Sequence, residues 1–316
     1  MNIAILDDYH NVSERMADWS TLPSSVRLTV FNAPIGDLDA LAEALADFEV
    51  LCVMRERTPI TAELMQRLPK LELIVTTGKR NNAIDLEAAR ARRITVCGTD
   101  SPGHATSELT MGLMLALSRR IISENQTLSQ GGWQNYLGRD LSGATLGLLG
   151  LGRLGGQVAR LGQAFGMRTI AWSENLTEAR AAELNVTRVE KDELFSQGDF
   201  ISIHLKLSAR TTALVGAEEL RLMKRDACLI NTSRGPIIDS RALADALTSR
   251  RIGGAALDVF DVEPLPADNI LRDIPNLILT PHIGYVTRET YQVFYSQTVE
   301  AIAAYLDGKP IRLLTS

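Results

Sequence analysis

The chain has 316 residues, 45% of them hydrophobic and 22% charged, with a formal net charge of -5. That length is more than one core usually fills, so two globular domains are expected rather than a disordered chain. The scattered acidic balance builds no basic face for nucleic acid, and no apolar run approaches the roughly 18 residues of a membrane span, so neither partner is expected.

Short β-rich runs alternate with segments of helical period, the pattern of parallel sheets covered by helices, so the fold class is α/β. The N-terminus, MNIAILDDY, lacks the basic start and long apolar middle of a secretion signal, which points to the cytoplasm. Strands are predicted at NIAIL (2–6), RLTVF (27–31), VLCVM (50–54), LELIV (71–75) and ITVC (94–97). Helical stretches LDALAEALADF and TAELMQRL lie between them, the second opened by Thr61 as N-cap. A turn-rich break from Gly98 to Gly103 leads into ELTMGLMLALSRRII, predicted as one long helix.

ATLGLLG (144–150) begins a second strand series, continued by TIAWS, FISIHL, ACLINTS, GAALDVF and NLILT. The stretch Arg288 to Leu306 is predicted as a single helix that returns to the first domain. The expected division is a first domain over 1–99 plus 288–316 and a second over 100–287. Cys52, Cys97 and Cys228 each sit inside an apolar run, far apart, and are expected to be small core residues rather than metal ligands or disulfides.

Gly150-Leu151-Gly152-Arg153-Leu154-Gly155 matches G-x-G-x-x-G, a weak signal alone. Here it follows an apolar strand and opens a helix, followed by the strand TIAWS, which is the context of a dinucleotide fingerprint. The first Gly allows the turn, the second lets backbone approach a pyrophosphate and the third packs helix on strand. NAD or NADP is the cofactor expected, with a slight lean to NAD. The end of the next strand offers Ser173 followed by Glu174, and no Arg stands beside them to attract a 2′-phosphate.

Three later strand ends offer NTSRG with Arg234, DVFDVEP with Asp261 and Glu263, and TPHIG with His282. Oxidising a 2-hydroxy acid needs a fixed cation for the carboxylate, which Arg supplies through a planar fork. It also needs a base for the hydroxyl proton, which His supplies with an ordinary pKa near 6.5. A carboxylate on the other ring nitrogen would fix the tautomer, and Asp261 and Glu263 both stand near enough in sequence to provide it.

NTSRG, DVFDVEP and LTPHIG, following GLGRLG in this order, resemble the D-isomer-specific 2-hydroxyacid dehydrogenase family across essentially the whole chain. TTGKRNNAID and SPGHATSELTMGLMLALSRR resemble the substrate loop and domain-crossing segment of that family. The resemblance implies two Rossmann-like domains, a flavodoxin-like substrate domain and a doubly wound dinucleotide-binding domain, with a cleft between them. It implies a homodimer joined through the dinucleotide-binding domains, acting on a small 2-hydroxy or 2-oxo acid. By motif, Arg234 would bind the carboxylate and carbonyl oxygen, His282 would be acid/base and Glu263 its partner. Asp258 would meet the nicotinamide carboxamide. Thr106, Thr232 and the stretch from His204 and Leu205 to Leu207 would line the cofactor, and backbone N–H groups around Gly78 and Lys79 would hold the carboxylate.

Two positions depart from the pattern of the family. Ser173 stands where many relatives have Asp, and Tyr285 where many have a small residue, which narrows the expected pocket wall. Arg55, Arg57, Lys79 and Arg80 are candidates for a second anionic subsite, against ordinary solvent exposure. Trp133 and the MGLMLAL stripe are expected in packing or a dimer surface, and His10 and His104 in structural or surface roles. The competing readings are a dinucleotide-sensing corepressor-like protein, 3-phosphoglycerate oxidation as the specific activity, and formate oxidation. The last is disfavoured because a Gln would be expected beside the His.

Overall fold

The computed structural model describes residues 1–314, so Thr315 and Ser316, the last two of the expected substrate domain, lie outside the described residues. The chain divides into two compact units, one of Met1–Pro102 with the stretch from Thr287 onward, the other Gly103–Val286. Among the described residues no helix is long and apolar enough to cross a membrane.

The first unit holds strands β1 (Asn2–Ile5), β2 (Arg27–Val30), β3 (Val50–Val53), β4 (Leu73–Thr76) and β5 (Thr95–Gly98). They form one parallel sheet in the order β2-β1-β3-β4-β5. β3 and β4 are buried along their whole length, which explains their unbroken apolar sequences, whereas edge strand β2 is partly exposed. The helices start where short polar side chains accept first-turn N–H groups: Asp37 before Leu38–Leu45, Thr61 before Ala62–Gln66 and Asp85 before Leu86–Ala91. The helix Arg288–Leu306 packs on β4 and β5 and buries Tyr291, Phe294, Tyr295, Val299 and Ile302.

The second unit is a seven-stranded parallel sheet: β6 (Thr145–Leu149), β7 (Arg168–Trp172), β8 (Thr187–Arg188), β9 (Phe200–Ile203), β10 (Cys228–Asn231), β11 (Gly254–Leu257) and β12 (Leu277–Leu279). Their order is β12-β11-β10-β9-β6-β7-β8. Alternate side chains go to opposite faces: Leu149, Leu229 and Leu257 enter one apolar layer, Leu148, Ile230 and Ala256 the other. The chain runs outward from β6 to β8 and then returns to β9 on the other side of β6. The switch in direction therefore lies between β6 and β9, where sheets of this kind hold ligands beyond the strand ends.

Two features differ from expectation. The segment read as one helix is two, Ala105–Ser118 and Ile121–Ser129, because Arg120 adopts a left-handed conformation with φ 53°. Its guanidinium donates to the Gly253 carbonyl at 3.2 Å, which helps hold the break. β8 was not expected, and its two residues are too few to show a period.

Candidate active site

Gly150 follows β6 beside the end of β9: a Cβ on it would stand 2.8 Å from the His204 carbonyl oxygen. Gly155 is pressed harder, since its Cβ would lie 2.1 Å from the Gly150 oxygen, so only glycine lets this helix approach the strand. Gly152 is different. A Cβ there meets nothing within 4 Å, so the protein's own packing does not demand glycine. Gly152 is also the N-cap of the helix Arg153–Ala164 and offers no side chain to the first-turn N–H groups of Arg153, Leu154 and Gly155. Open space beside an uncapped helix N-terminus at the switch of strand order fits a pyrophosphate.

At the end of β7, Ser173 is half-buried and Glu174 exposed. Nearby Arg180 pairs with Glu183 at 2.5 Å and Arg188 with Glu190 at 2.8 Å, so both guanidinium groups already have carboxylate partners. His204 follows β9 with Nε2 2.9 Å from the Ser202 hydroxyl, and burial pushes its pKa down to about 4. The imidazole is therefore neutral near pH 7. The Leu205 carbonyl accepts the Ser233 hydroxyl, which ties the β9 and β10 ends together.

Arg234 stands on a turn whose shape is set by Asn231, a fully buried side chain that donates to the Arg234 carbonyl and accepts from Ser233 N–H, both at 2.9 Å. Thr232 meets Thr110 hydroxyl to hydroxyl at 2.9 Å. Asn231 and Thr110 were not singled out from sequence. The available signal was an amide at the end of an otherwise apolar strand, which must find buried partners.

His282 and Glu263 meet directly, Nδ1 to Oε2 at 2.5 Å. The other Glu263 oxygen accepts Phe260 N–H at 2.9 Å. Burial opposes the Glu263 charge, but the bond and charge of His282, with lesser help from Phe260 and Arg234, hold its carboxyl below the usual range. Asp261, the other carboxylate candidate, instead accepts the Ser240 hydroxyl at 2.6 Å.

Asp258 is buried, and both its oxygens are engaged: Oδ1 by the Thr280 hydroxyl at 2.6 Å and Ile283 N–H at 2.8 Å, Oδ2 by Gly284 N–H at 2.8 Å. Thr106 donates to the Gly284 carbonyl at 2.8 Å. Two residues expected to line the cofactor thus also clamp the loop that carries His282. Burial raises the pKa of Asp258, against these three bonds and the charge of His282.

In the first unit the Gly78 N–H donates to the Thr99 hydroxyl at 2.8 Å. Lys79 pairs through its ammonium with Asp100 at 2.8 Å. Arg55 donates to the Thr77 carbonyl at 3.2 Å, while Arg57 donates to the Asp7 carbonyl at 2.8 Å and stacks 4.3 Å from the Tyr9 ring centroid. Arg80 is exposed. Within this unit Arg57 and Lys79 thus turn to separate partners.

Residues 111–284 match the family described as D-isomer specific 2-hydroxyacid dehydrogenase, NAD binding domain. The chain is 35% identical to the glyoxylate reductase of Korarchaeum cryptofilum, over 87% of this chain and 82% of that protein. It is 38% identical to the D-3-phosphoglycerate dehydrogenase of Methanocaldococcus jannaschii over 86% of this chain, and spans about half of that longer protein, 52%. Its fold matches the phosphoglycerate oxidoreductase of Vibrio cholerae with a TM-score of 0.92 at 37% identity, covering 98% of this chain and 99% of that one. The chain thus belongs to the D-isomer specific 2-hydroxyacid dehydrogenases, oxidoreductases that act on CH–OH donors with NAD(P).

Proposed function

We propose that this chain interconverts a small D-2-hydroxy acid and its 2-oxo acid, with Arg234, Glu263 and His282 as the reacting set. The observation that carries the reading is the His282–Glu263 pair at 2.5 Å, set on the same sheet as the fingerprint glycines. Bound NAD(P) would supply or accept the hydride at C2. Arg234 binds the carboxylate and polarises the carbonyl oxygen. Glu263 accepts a hydrogen bond from the Nδ1–H of His282, which leaves Nε2 to exchange a proton with the substrate oxygen. In the reducing direction the imidazolium donates that proton and becomes neutral; in the oxidising direction the neutral ring takes it back.

NAD is the favoured cofactor, because Glu174 repels a 2′-phosphate while Arg180 and Arg188 are already paired. The second unit exposes Ile121, Ile122, Leu128, Trp133, Tyr136 and Leu137 along one stretch, apolar surface that a homodimer through this unit would cover. Three buried free cysteines suit a cytoplasmic setting.

The test is a panel of glyoxylate, hydroxypyruvate, pyruvate, phenylpyruvate and 3-phosphohydroxypyruvate against NADH and NADPH. Turnover of at least one of them at ordinary enzymatic rates, lost in His282→Asn with NADH binding retained, is the expected outcome. Binding of NADH without turnover of any of them would favour a sensing role instead.

A further inference from the structure

We infer that Tyr285 is a positioning residue for His282, its ring setting the direction of Nε2; this rests on the reaction proposed above. The imidazole is held at one atom by Glu263, and one hydrogen bond does not fix a ring whose outer torsion is broad. The Tyr285 ring supplies the second constraint. Its centroid lies 5.5 Å from that of His282 with the planes 75° apart, an edge-to-face contact.

The backbone between the two rings is unusually well tied. Ile283 and Gly284 both donate to Asp258, and the Gly284 carbonyl accepts from Thr106. A Cβ on Gly284 would stand 3.0 Å from the Asp258 carboxylate, tighter than ordinary van der Waals contact, so the clamp leaves little room there. His282 itself has φ 52°, a left-handed conformation that costs energy without glycine and persists because its neighbours are fixed. The backbone between His282 and Tyr285 is thus tied to Asp258 and Thr106, which holds the two residues side by side. The Tyr285 ring covers one side of the imidazole at the edge-to-face contact, and its own hydroxyl oxygen is buried. A misplacement of the order of 1 Å costs about 100-fold in rate, so a residue that limits ring swing acts on kcat rather than on binding.

The test compares Tyr285→Ala, Tyr285→Phe and Tyr285→Leu in the full chain, with the 2-oxo acids that the unmodified enzyme turns over. Tyr285→Ala is expected to lower kcat about tenfold or more while KM and NADH affinity stay within about twofold. Tyr285→Phe should recover most of the loss, because it restores the ring. An activity-free readout is the rate at which diethyl pyrocarbonate acylates His282 without substrate, followed by peptide mass spectrometry with His10 as reference. That rate should rise several-fold in Tyr285→Ala and not in Tyr285→Phe. Wild-type kcat and acylation rate in Tyr285→Ala would overturn the inference, as would an equal loss in Tyr285→Phe. If Tyr285→Ala does not fold, Tyr285→Leu keeps apolar volume without the ring, and the same two outcomes decide. Absence of turnover in the unmodified protein would instead overturn the proposed reaction, leaving the acylation arm to judge Tyr285.

Discussion

Glu263 faces His282 with one oxygen, 2.5 Å from Nδ1, and accepts the Phe260 N–H with the other. The carboxylate is thereby fixed by its own loop before it orients the ring. Glu263→Gln keeps the shape and removes the charge, so kcat is expected to fall on the order of 10- to 100-fold with NADH binding little changed. The same substitution has a signature in acid. The folded pKa of Glu263 lies below its unfolded value, so its contribution to stability is present above the unfolded value near about 4.3 and is lost as pH falls through the folded one. Unfolding midpoints from pH 7 to 3 should therefore fall more steeply for the unmodified protein than for Glu263→Gln. Parallel curves would show that the pair contributes nothing to folding.

Gly152 and Gly155 are both fingerprint glycines, yet they answer to different partners. Gly152→Ala places its methyl in open space, so the fold should be kept while NADH affinity drops about tenfold or more, as read by fluorescence titration. Gly155→Ala drives a methyl to 2.1 Å from backbone oxygen, so thermal stability should fall by several degrees or the chain fail to fold. Equal NADH affinity in Gly152→Ala and the unmodified chain would place the pyrophosphate elsewhere.

Glu174 is the exposed residue at the β7 end and carries the lean toward NAD. Glu174→Arg exchanges repulsion for attraction at a 2′-phosphate, so the ratio of kcat/KM for NADPH over NADH should rise about tenfold or more. A ratio that does not move would show that the ribose lies away from this side chain.

The strand series, the fingerprint and the polar strand ends were legible because each is written in neighbouring residues. What sequence left open was geometry among residues far apart. Asp261 and Glu263 are two positions from each other and chemically alike, and only the fold sends the first to Ser240 and the second to His282. The break at Arg120 carries neither Gly nor Pro, so no local punctuation announced it. The bond from the Gly78 N–H to the Thr99 hydroxyl, 21 residues on, also leaves no mark in the sequence of its own loop. Asp258 likewise gains its loop-clamping bonds from residues 280–284, brought alongside only by the pairing of β11 with β12.

His204 has no place in the proposed proton transfer, and its buried neutral ring makes a separate prediction. An unfolded histidine takes its proton near pH 6.5, whereas the folded one does so at about 4. Between those values unfolding binds a proton, so acid favours the unfolded chain. The contribution of the neutral ring is complete above about pH 6.5, lost progressively as pH falls to about 4, and constant below. The size is on the order of 3 kcal/mol for such a shift. His204→Gln keeps a polar side chain near Ser202 without the titration. The urea midpoint of the unmodified protein, measured at pH 7.5, 6, 5 and 4, should therefore fall relative to that of His204→Gln as pH falls, whatever their difference at pH 7.5. If the gap stays constant across that range, the ring is not titrating at the depressed value and the packing that Ser202 and the β9 end give it is looser than the structure shows.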